Sequence, residues 1–372
     1  MRDVRPGPFR AWRRVAVAAA VALMAAALVP ATQANGSDRV SARTAADGAY
    51  GSFSFIGGPP FSYTLAFYDD SLIVGGDIEP TAGRDDSAIR AWSGGPWTAL
   101  GKGLATPVVT SLVVKDDTLI AAGNFTGAVD DTGTGLVAGT SKIAAFADGS
   151  WHSMGSSLGT GGSIWSIAVM DDTLYAGGDL ADLVPFEGES DYIAQWGDDT
   201  WSPLGTGINA GTNIVLAAGD DTLYAGGINI EEAGGLATPG LAAWSDNTWH
   251  APMPPADDRS GDDTTNILAM VVQDDTLYVG GNLYLPGGSA STRYIAAQAD
   301  GTWHALGSGV DDTVTALAVD EAHGLVYAAG LFPNPRAADD TIIAQAFDTG
   351  TGEWIPLDDS STTSPFSFNG SI

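Results

Sequence analysis

The sequence predicts an all-β fold of repeated four-stranded sheets, and three observations carry that prediction. One string, Asp171-Asp172-Thr173-Leu174-Tyr175-Ala176-Gly177-Gly178, recurs at Asp69-Asp70-Ser71-Leu72, Asp116-Asp117-Thr118-Leu119, Asp220-Asp221-Thr222-Leu223 and Asp274-Asp275-Thr276-Leu277, with a degenerate copy at Gly324-Leu325-Val326-Tyr327. The anchors Leu72, Leu119, Leu174, Leu223, Leu277 and Leu325 are spaced by 47, 55, 49, 54 and 48 residues. A fixed period of roughly 50 marks a repeat architecture. Each period also holds one tryptophan near its end: Trp97, Trp151, Trp201, Trp249, Trp303 and Trp354. Four short strands per period, six times over, predict a β-propeller of six four-stranded blades. The tail from Asp359 to Ile372 begins like a further first strand, so seven blades, one incomplete, is the alternative.

The N-terminus reads as a secretory signal. Arg2, Arg5, Arg10, Arg13 and Arg14 precede an apolar run of 15 residues, Val15 to Val29, and small residues suited to cleavage follow. That run is shorter than the ~20 residues a helix needs to cross a bilayer. Residues 1–34 are therefore expected to be a signal peptide and 35–49 a flexible linker. Residues 50–358 form the propeller, and 359–372 are a tail that takes part in ring closure. Gly51-Ser52-Phe53-Ser54-Phe55 looks like a fourth strand with Phe53 in the tryptophan position, pairing with the last blade as a latch between the chain ends.

Within a unit, the first strand is an apolar run such as Ile164 to Val169 or Ile267 to Val272, of the kind buried on both faces. The Asp-Asp pair is the hairpin turn, since aspartate bonds its own backbone and tolerates left-handed conformations. The second strand ends in Gly-Gly, where a neighbouring sheet approaches closely or a bulge forms. After a variable loop comes a third strand with small residues at alternate positions, as in Tyr192-Ile193-Ala194-Gln195-Trp196. A short Asp, Gly or Asn turn leads to the fourth strand and its tryptophan.

Asn124-Phe125-Thr126 after Gly123, and Ile193-Ala194-Gln195-Trp196, bring a family into view. The chain resembles the secreted propellers of the kelch and galactose-oxidase type, most closely the repeat proteins known as cell-polarity markers, over residues 50 to 358. The resemblance implies the architecture and says little of function, because propellers host many unrelated activities. Galactose oxidase chemistry needs a cysteine-linked tyrosine, and this chain has no cysteine. A sialidase needs three convergent arginines and a longer aspartate box than Ser245-Asp246-Asn247-Thr248-Trp249.

Charge narrows the partners. Without residues 1–34, 10 basic and 44 acidic groups remain, a net charge of −34. Such a field disfavours nucleic acid and anionic membrane. The lack of cysteine excludes thiol catalysis, zinc-thiolate sites and lipid acylation of a lipobox.

Binding residues are expected on the loops between second and third strands and between units, which share one face of the sheets. The candidates are Asp77, Glu79, Arg84, Phe186, Glu187, Glu189, Glu231, Glu232, Tyr284, Arg293, Tyr294 and Phe332. Carboxylates converging on one mouth would suit Ca²⁺, but acidic loops also repel one another into solvent. No cofactor and no metal site is assigned, with Ca²⁺ kept as the alternative. The Asp-Asp pairs lie around a ring and cannot build one catalytic site. His152, His250 and His304 occupy equivalent places in three units and cannot converge either. The tryptophans read as packing between units more readily than as a sugar-stacking row. The expected function is that of a secreted, monomeric binding scaffold for an extracellular protein or polysaccharide, with no catalytic residues and no membrane span after cleavage. The alternative is a polysaccharide hydrolase or lyase using loop carboxylates such as Glu187, Glu189, Glu231 or Glu232, which would need two carboxyls at a defined separation.

Overall fold

The structure, a computed structural model, describes residues 39–43, 50–54, 61–77, 88–93, 98–105, 108–155, 162–180, 192–209, 212–253, 265–283, 285, 292–320, 323–333, 341–356 and 366–368. Among the described residues there is no α-helix, and the strands group into six four-stranded antiparallel units. Unit 1 comprises Phe61–Tyr68, Ser71–Asp77, Ile89–Trp92 and Thr98–Ala99; unit 2 comprises Val108–Lys115, Thr118–Asn124, Ile143–Ala147 and Ser150–His152. Unit 3 is Ser163–Met170, Thr173–Asp179, Ile193–Gly197 and Thr200–Pro203; unit 4 is Thr212–Ala218, Leu223–Ile228, Leu241–Ser245 and Thr248–His250. Unit 5 is Asn266–Gln273, Thr276–Asn282, Ile295–Ala299 and Thr302–His304; unit 6 is Val314–Asp320, Leu325–Pro333, Thr341–Asp348 and Glu353–Pro356. Strands pair in chain order within each unit, and one pairing, Asp77 with Val108, joins units 1 and 2 into a continuous sheet.

The hairpin turns have the geometry their aspartates foretell. Asp69 and Asp70 have φ of 45° and 56°, Asp116 and Asp117 47° and 58°, Asp171 and Asp172 47° and 59°. Two successive residues with positive φ make the hairpin turn whose twist matches the flanking strands. Asp198 and Asp199 do the same between third and fourth strands, at 50° and 56°. The fourth copy departs: neither Asp220 nor Asp221 has positive φ, and Gly219 instead donates its N–H to the Thr222 carbonyl at 2.9 Å.

The two glycines that end a second strand have different reasons to be there. A methyl on the first would strike the next unit: 2.5 Å from Val109 Cγ1 at Gly75, 2.6 Å from Ile214 Cγ2 at Gly177, 2.5 Å from Val314 Cγ1 at Gly280. A methyl on the second would strike the unit's own first strand, 2.2 Å from the Ser163 carbonyl oxygen at Gly178. There the first strand bulges, between Ile164 and Ser166, and its backbone swings toward the second. Hydroxyls beside the bulges bridge successive first strands. Thr64 Oγ1 accepts from Leu112 N–H, Ser111 Oγ from Ile167 N–H and Ser166 Oγ from Leu216 N–H, each at 3.1 Å.

First strands were expected to be buried on both faces, and they are only half-buried; the second strands are the most deeply buried. The reason is position: apart from the single Asp77–Val108 pairing, each first strand is paired along one side only, whereas the second lies between two partners. The apolar core sits between units. Ile73 and Ile89 of unit 1 share a cluster with Val109, Phe146 and Trp151 of unit 2, and comparable clusters join units 2 to 3, 3 to 4, 4 to 5 and 5 to 6.

The tryptophans hold the same junctions. Trp151, Trp249, Trp303 and Trp354 donate their indole N–H to the carbonyls of Leu100, Leu204, Pro252 and Leu306 in the preceding unit, at 3.2, 3.2, 3.2 and 2.9 Å. Packing between units, rather than a row of exposed rings, is thus their place for Trp151, Trp201 and Trp249, each buried.

The chain ends meet, though not as a strand of the last unit. Tyr50–Ser54 pairs with Arg39–Arg43, within the stretch expected to be a linker, and Arg39–Arg43 pairs with Phe366–Phe368 of the tail. The outer position in unit 6 is already taken by Glu353–Pro356, so Phe53 does not occupy it. The signal-peptide residues lie outside the described ones.

Candidate functional site

Antiparallel pairing in chain order sends the connections to two opposite ends of every unit. The second-to-third loops and the links between units leave at one end, here the loop face. The aspartate turns and the third-to-fourth turns leave at the other, the turn face.

On the loop face, two of the variable connections are built rather than loose. In unit 2, Gly127–Ala128 pairs with Leu104–Ala105 of the link from unit 1. In unit 4, Glu232–Ala233 pairs both with Ile208–Asn209 of the link from unit 3 and with Leu236–Ala237. Each hairpin carries a Gly-Leu tip, and the tips leave Leu136 and Leu236 exposed at 49% and 44%. Asp130 closes the unit 2 tip: its Oδ1 accepts from Thr132 Oγ1 at 2.6 Å and Thr134 N–H at 3.2 Å. The Thr132 hydroxyl first, then the N–H groups of Gly135, Thr134 and Gly133, hold the Asp130 carboxyl below its usual range.

The expected site residues divide accordingly. Glu231 is exposed and Glu232 half-buried on the unit 4 hairpin, where Asn209 Oδ1 accepts from Glu232 N–H at 2.7 Å. Arg293 is exposed, with its guanidinium carbon 5.4 Å from the centre of the half-buried Tyr294 ring. Asp77 ends the second strand of unit 1, in register with Phe61 and with Val108. Phe332 lies in the second strand of unit 6. Glu79, Arg84, Phe186, Glu187, Glu189 and Tyr284 lie outside the described residues. Among the described residues, no group of three or more acidic or histidine side chains is placed to hold a metal ion.

Two features of this face escape a reading of the sequence. The residue after the glycine is polar in four units: Asp77, Asn124, Asp179 and Asn282 each pair with the start of their own first strand, and the last three are exposed. Its signal was the fixed offset from the glycines. The other is Lys142, a buried lysine with φ of 68°, which donates to Asn124 Oδ1. Burial lowers its pKa. Gly240 fills the matching position in unit 4 with φ of 84°, and lysine bears a strain in this left-handed conformation that glycine does not.

No protein-family model matches the chain, and no curated protein is similar to it in sequence. Solved structures are similar in fold. The extracellular domain of the putative one-component system BT4673 from B. thetaiotaomicron matches 90% of this chain with a TM-score of 0.51 at 11% identity. The match covers 36% of that structure, so this chain spans about a third of its length. The structure of YjhT matches 77% of this chain and 95% of its own length, at 14% identity and a TM-score of 0.44. The first likeness is one of all-β fold alone. No helix among the described residues is long and apolar enough to cross a membrane.

Proposed function

We propose that the six units close into a six-bladed β-propeller that is secreted and serves outside the cell as a binding scaffold for a protein or polysaccharide. Closure is supported by the repeat: five successive junctions pack alike, and each terminal unit keeps an apolar set outside those junctions, Leu72 and Val74 in unit 1 and Ala316, Ala329 and Ala346 in unit 6. Secretion is supported by the basic and apolar leader, and the similar structure from B. thetaiotaomicron is itself an extracellular domain.

The observation that carries the binding role is a division of labour. Repeat positions are consumed by packing: the glycines admit the next unit, the aspartates turn hairpins, the tryptophans bond across junctions. Side chains that break the repeat stand on the loop face: Leu136 and Leu236 at hairpin tips, Glu231, and Arg293 over Tyr294. A rigid scaffold displaying unlike loops is how many folds bind.

The test is binding of the protein, expressed as the full chain, to an array of extracellular polysaccharides and surface proteins. Leu136→Asp with Leu236→Asp alters the loop face, and Asp246→Asn alters the turn face as control. A ligand kept by the control and weakened at least tenfold by the leucine pair is the expected result. Absence of any saturable ligand, or one indifferent to both leucines, rejects the proposal.

A further inference from the structure

The turn face carries a groove of about 430 Å³ between units 2 and 3, lined by Lys115, Met154, Asp172, Trp196, Asp198 and Asp199 among others. At two junctions the last residue of the first strand packs beside the third-strand aromatic of the next unit. Tyr68 lies edge-on to Phe146, ring centres 6.1 Å apart, and Met170 is buried in the cluster that holds Trp244. Between units 2 and 3 that residue is Lys115, whose ammonium pairs with Asp116 beside it. Trp196 is only half-buried, where Phe146 and Trp244 are buried.

A second irregularity falls at the same junction. Trp201, 6% exposed and 5.2 Å from Trp196 ring to ring, leaves its indole N–H without an acceptor. The repeat directs this N–H to the turn after the preceding fourth strand, which here is Met154, a wall of the groove. So the groove itself offers an aromatic face, Trp196, and a thioether, Met154. Lys115 and Asp116 offset each other, leaving the charges of Asp172, Asp198 and Asp199.

We infer that this groove is a second binding site, separate from the loop face, that takes an alkylammonium group. Its alkyl part lies on Trp196 and Met154, and its cation lies among the carboxylates and the ring face. Carboxylates and an aromatic face both attract a cation, and the volume lies in the range of small-ligand sites. The group has two sources, a free polyamine or a lysine side chain of a partner protein.

The experiment titrates the protein, expressed as the full chain, with spermidine and separately with N-acetyl-lysine amide, following tryptophan fluorescence at fixed ionic strength. Saturable quenching by either supports the site, and the stronger probe indicates the source. Asp198→Asn with Asp199→Asn keeps the turn, because asparagine also accepts positive φ and Asn247 already does so in unit 4 at 55°. This pair will weaken binding at least tenfold. Asp246→Asn with Asp274→Asn removes equal charge in other units and will leave it unchanged. Lys115→Tyr supplies the ring seen at Tyr68, and the folded variant will lose binding at least tenfold. Three outcomes overturn the inference: no saturable quenching, equal weakening by both Asn pairs, or unaltered binding in folded Lys115→Tyr.

Discussion

Gln298 donates from Nε2 to the carbonyl of Pro252, 3.0 Å away, at the junction of units 4 and 5. At the other described junctions the same third-strand position is aromatic and rests on a left-handed glycine. A methyl on Gly101 would come 2.8 Å from Phe146, on Gly155 2.4 Å from Trp196, on Gly205 2.8 Å from Trp244 and on Gly307 3.1 Å from Phe347. At this junction both partners change together. Met253 stands in the glycine's place and is buried, and glutamine replaces the ring. The pair therefore behaves as a unit of complementary volume.

That coupling is measurable by a double-mutant cycle. Gln298→Trp alone will destabilise, because the ring meets Met253, and Met253→Gly alone will open a cavity. Together they will recover stability, with a coupling of about 0.5–3 kcal/mol, the usual range for residues in contact. Additive losses in urea unfolding would show that the two positions do not meet.

Gly75→Ala tests how closely the sheets approach. Its methyl would lie 2.5 Å from Val109 Cγ1 and 2.9 Å from Thr64 Cγ2, an overpacking that costs about 1–3 kcal/mol. Val109→Ala in the same chain will recover part of the loss. Gly197→Ala, with nothing within 4 Å and no left-handed φ, will lose nothing. Equal melting of Gly75→Ala and the parent chain would mean units 1 and 2 do not pack as described.

The hairpin turns separate two aspartates that look alike in sequence. Asp171→Val forces a β-branched residue into φ of 47°, and the left-handed region costs such residues roughly 1–2 kcal/mol. Asp220→Val, at a position without positive φ, will cost less. Chemical unfolding of the two variants side by side decides it, and equal losses would remove the backbone explanation.

These cases mark what the sequence made legible. The string around Leu174 foretold hairpin, second strand and glycine approach, because each depends on neighbours within a few residues. The tryptophan positions foretold packing but not its partner, the carbonyl of the preceding unit. The depth of the first strands was misread because an apolar run does not reveal that it pairs mainly along one side. The groove could not be read at all: Lys115 and Trp196 belong to different units, and only the stacking of units shows that one fails to cover the other. Likewise the buried state of Lys142 follows from the loop that folds over it, and nothing in its local sequence distinguishes it from a surface lysine.

Alkaline pH will strip stability from this fold through one repeated residue. Tyr175, Tyr224, Tyr278 and Tyr327 occupy the same place in the second strands of units 3 to 6, and burial, foremost, raises the pKa of each. Tyr68 is raised too, by burial and then by Asp69. A phenol whose folded pKa exceeds the unfolded 10.0 keeps its proton in the native state while the unfolded chain releases it. Its stabilising share is complete below pH 10.0 and falls away as pH rises through the folded value. Lys142 acts with the opposite sign. Its folded pKa is lowered from 10.5 by burial, so stability rises with pH between the folded value and 10.5. Urea unfolding from pH 7 to 12, read with tyrosinate absorbance at each step, will show this steep loss above pH 10. Tyr224→Phe will make the loss shallower, and Lys142→Met will remove the small gain that precedes it. Tyrosines titrating together near 10 in the native protein, with no change of slope in Tyr224→Phe, would place these rings in water rather than between the units.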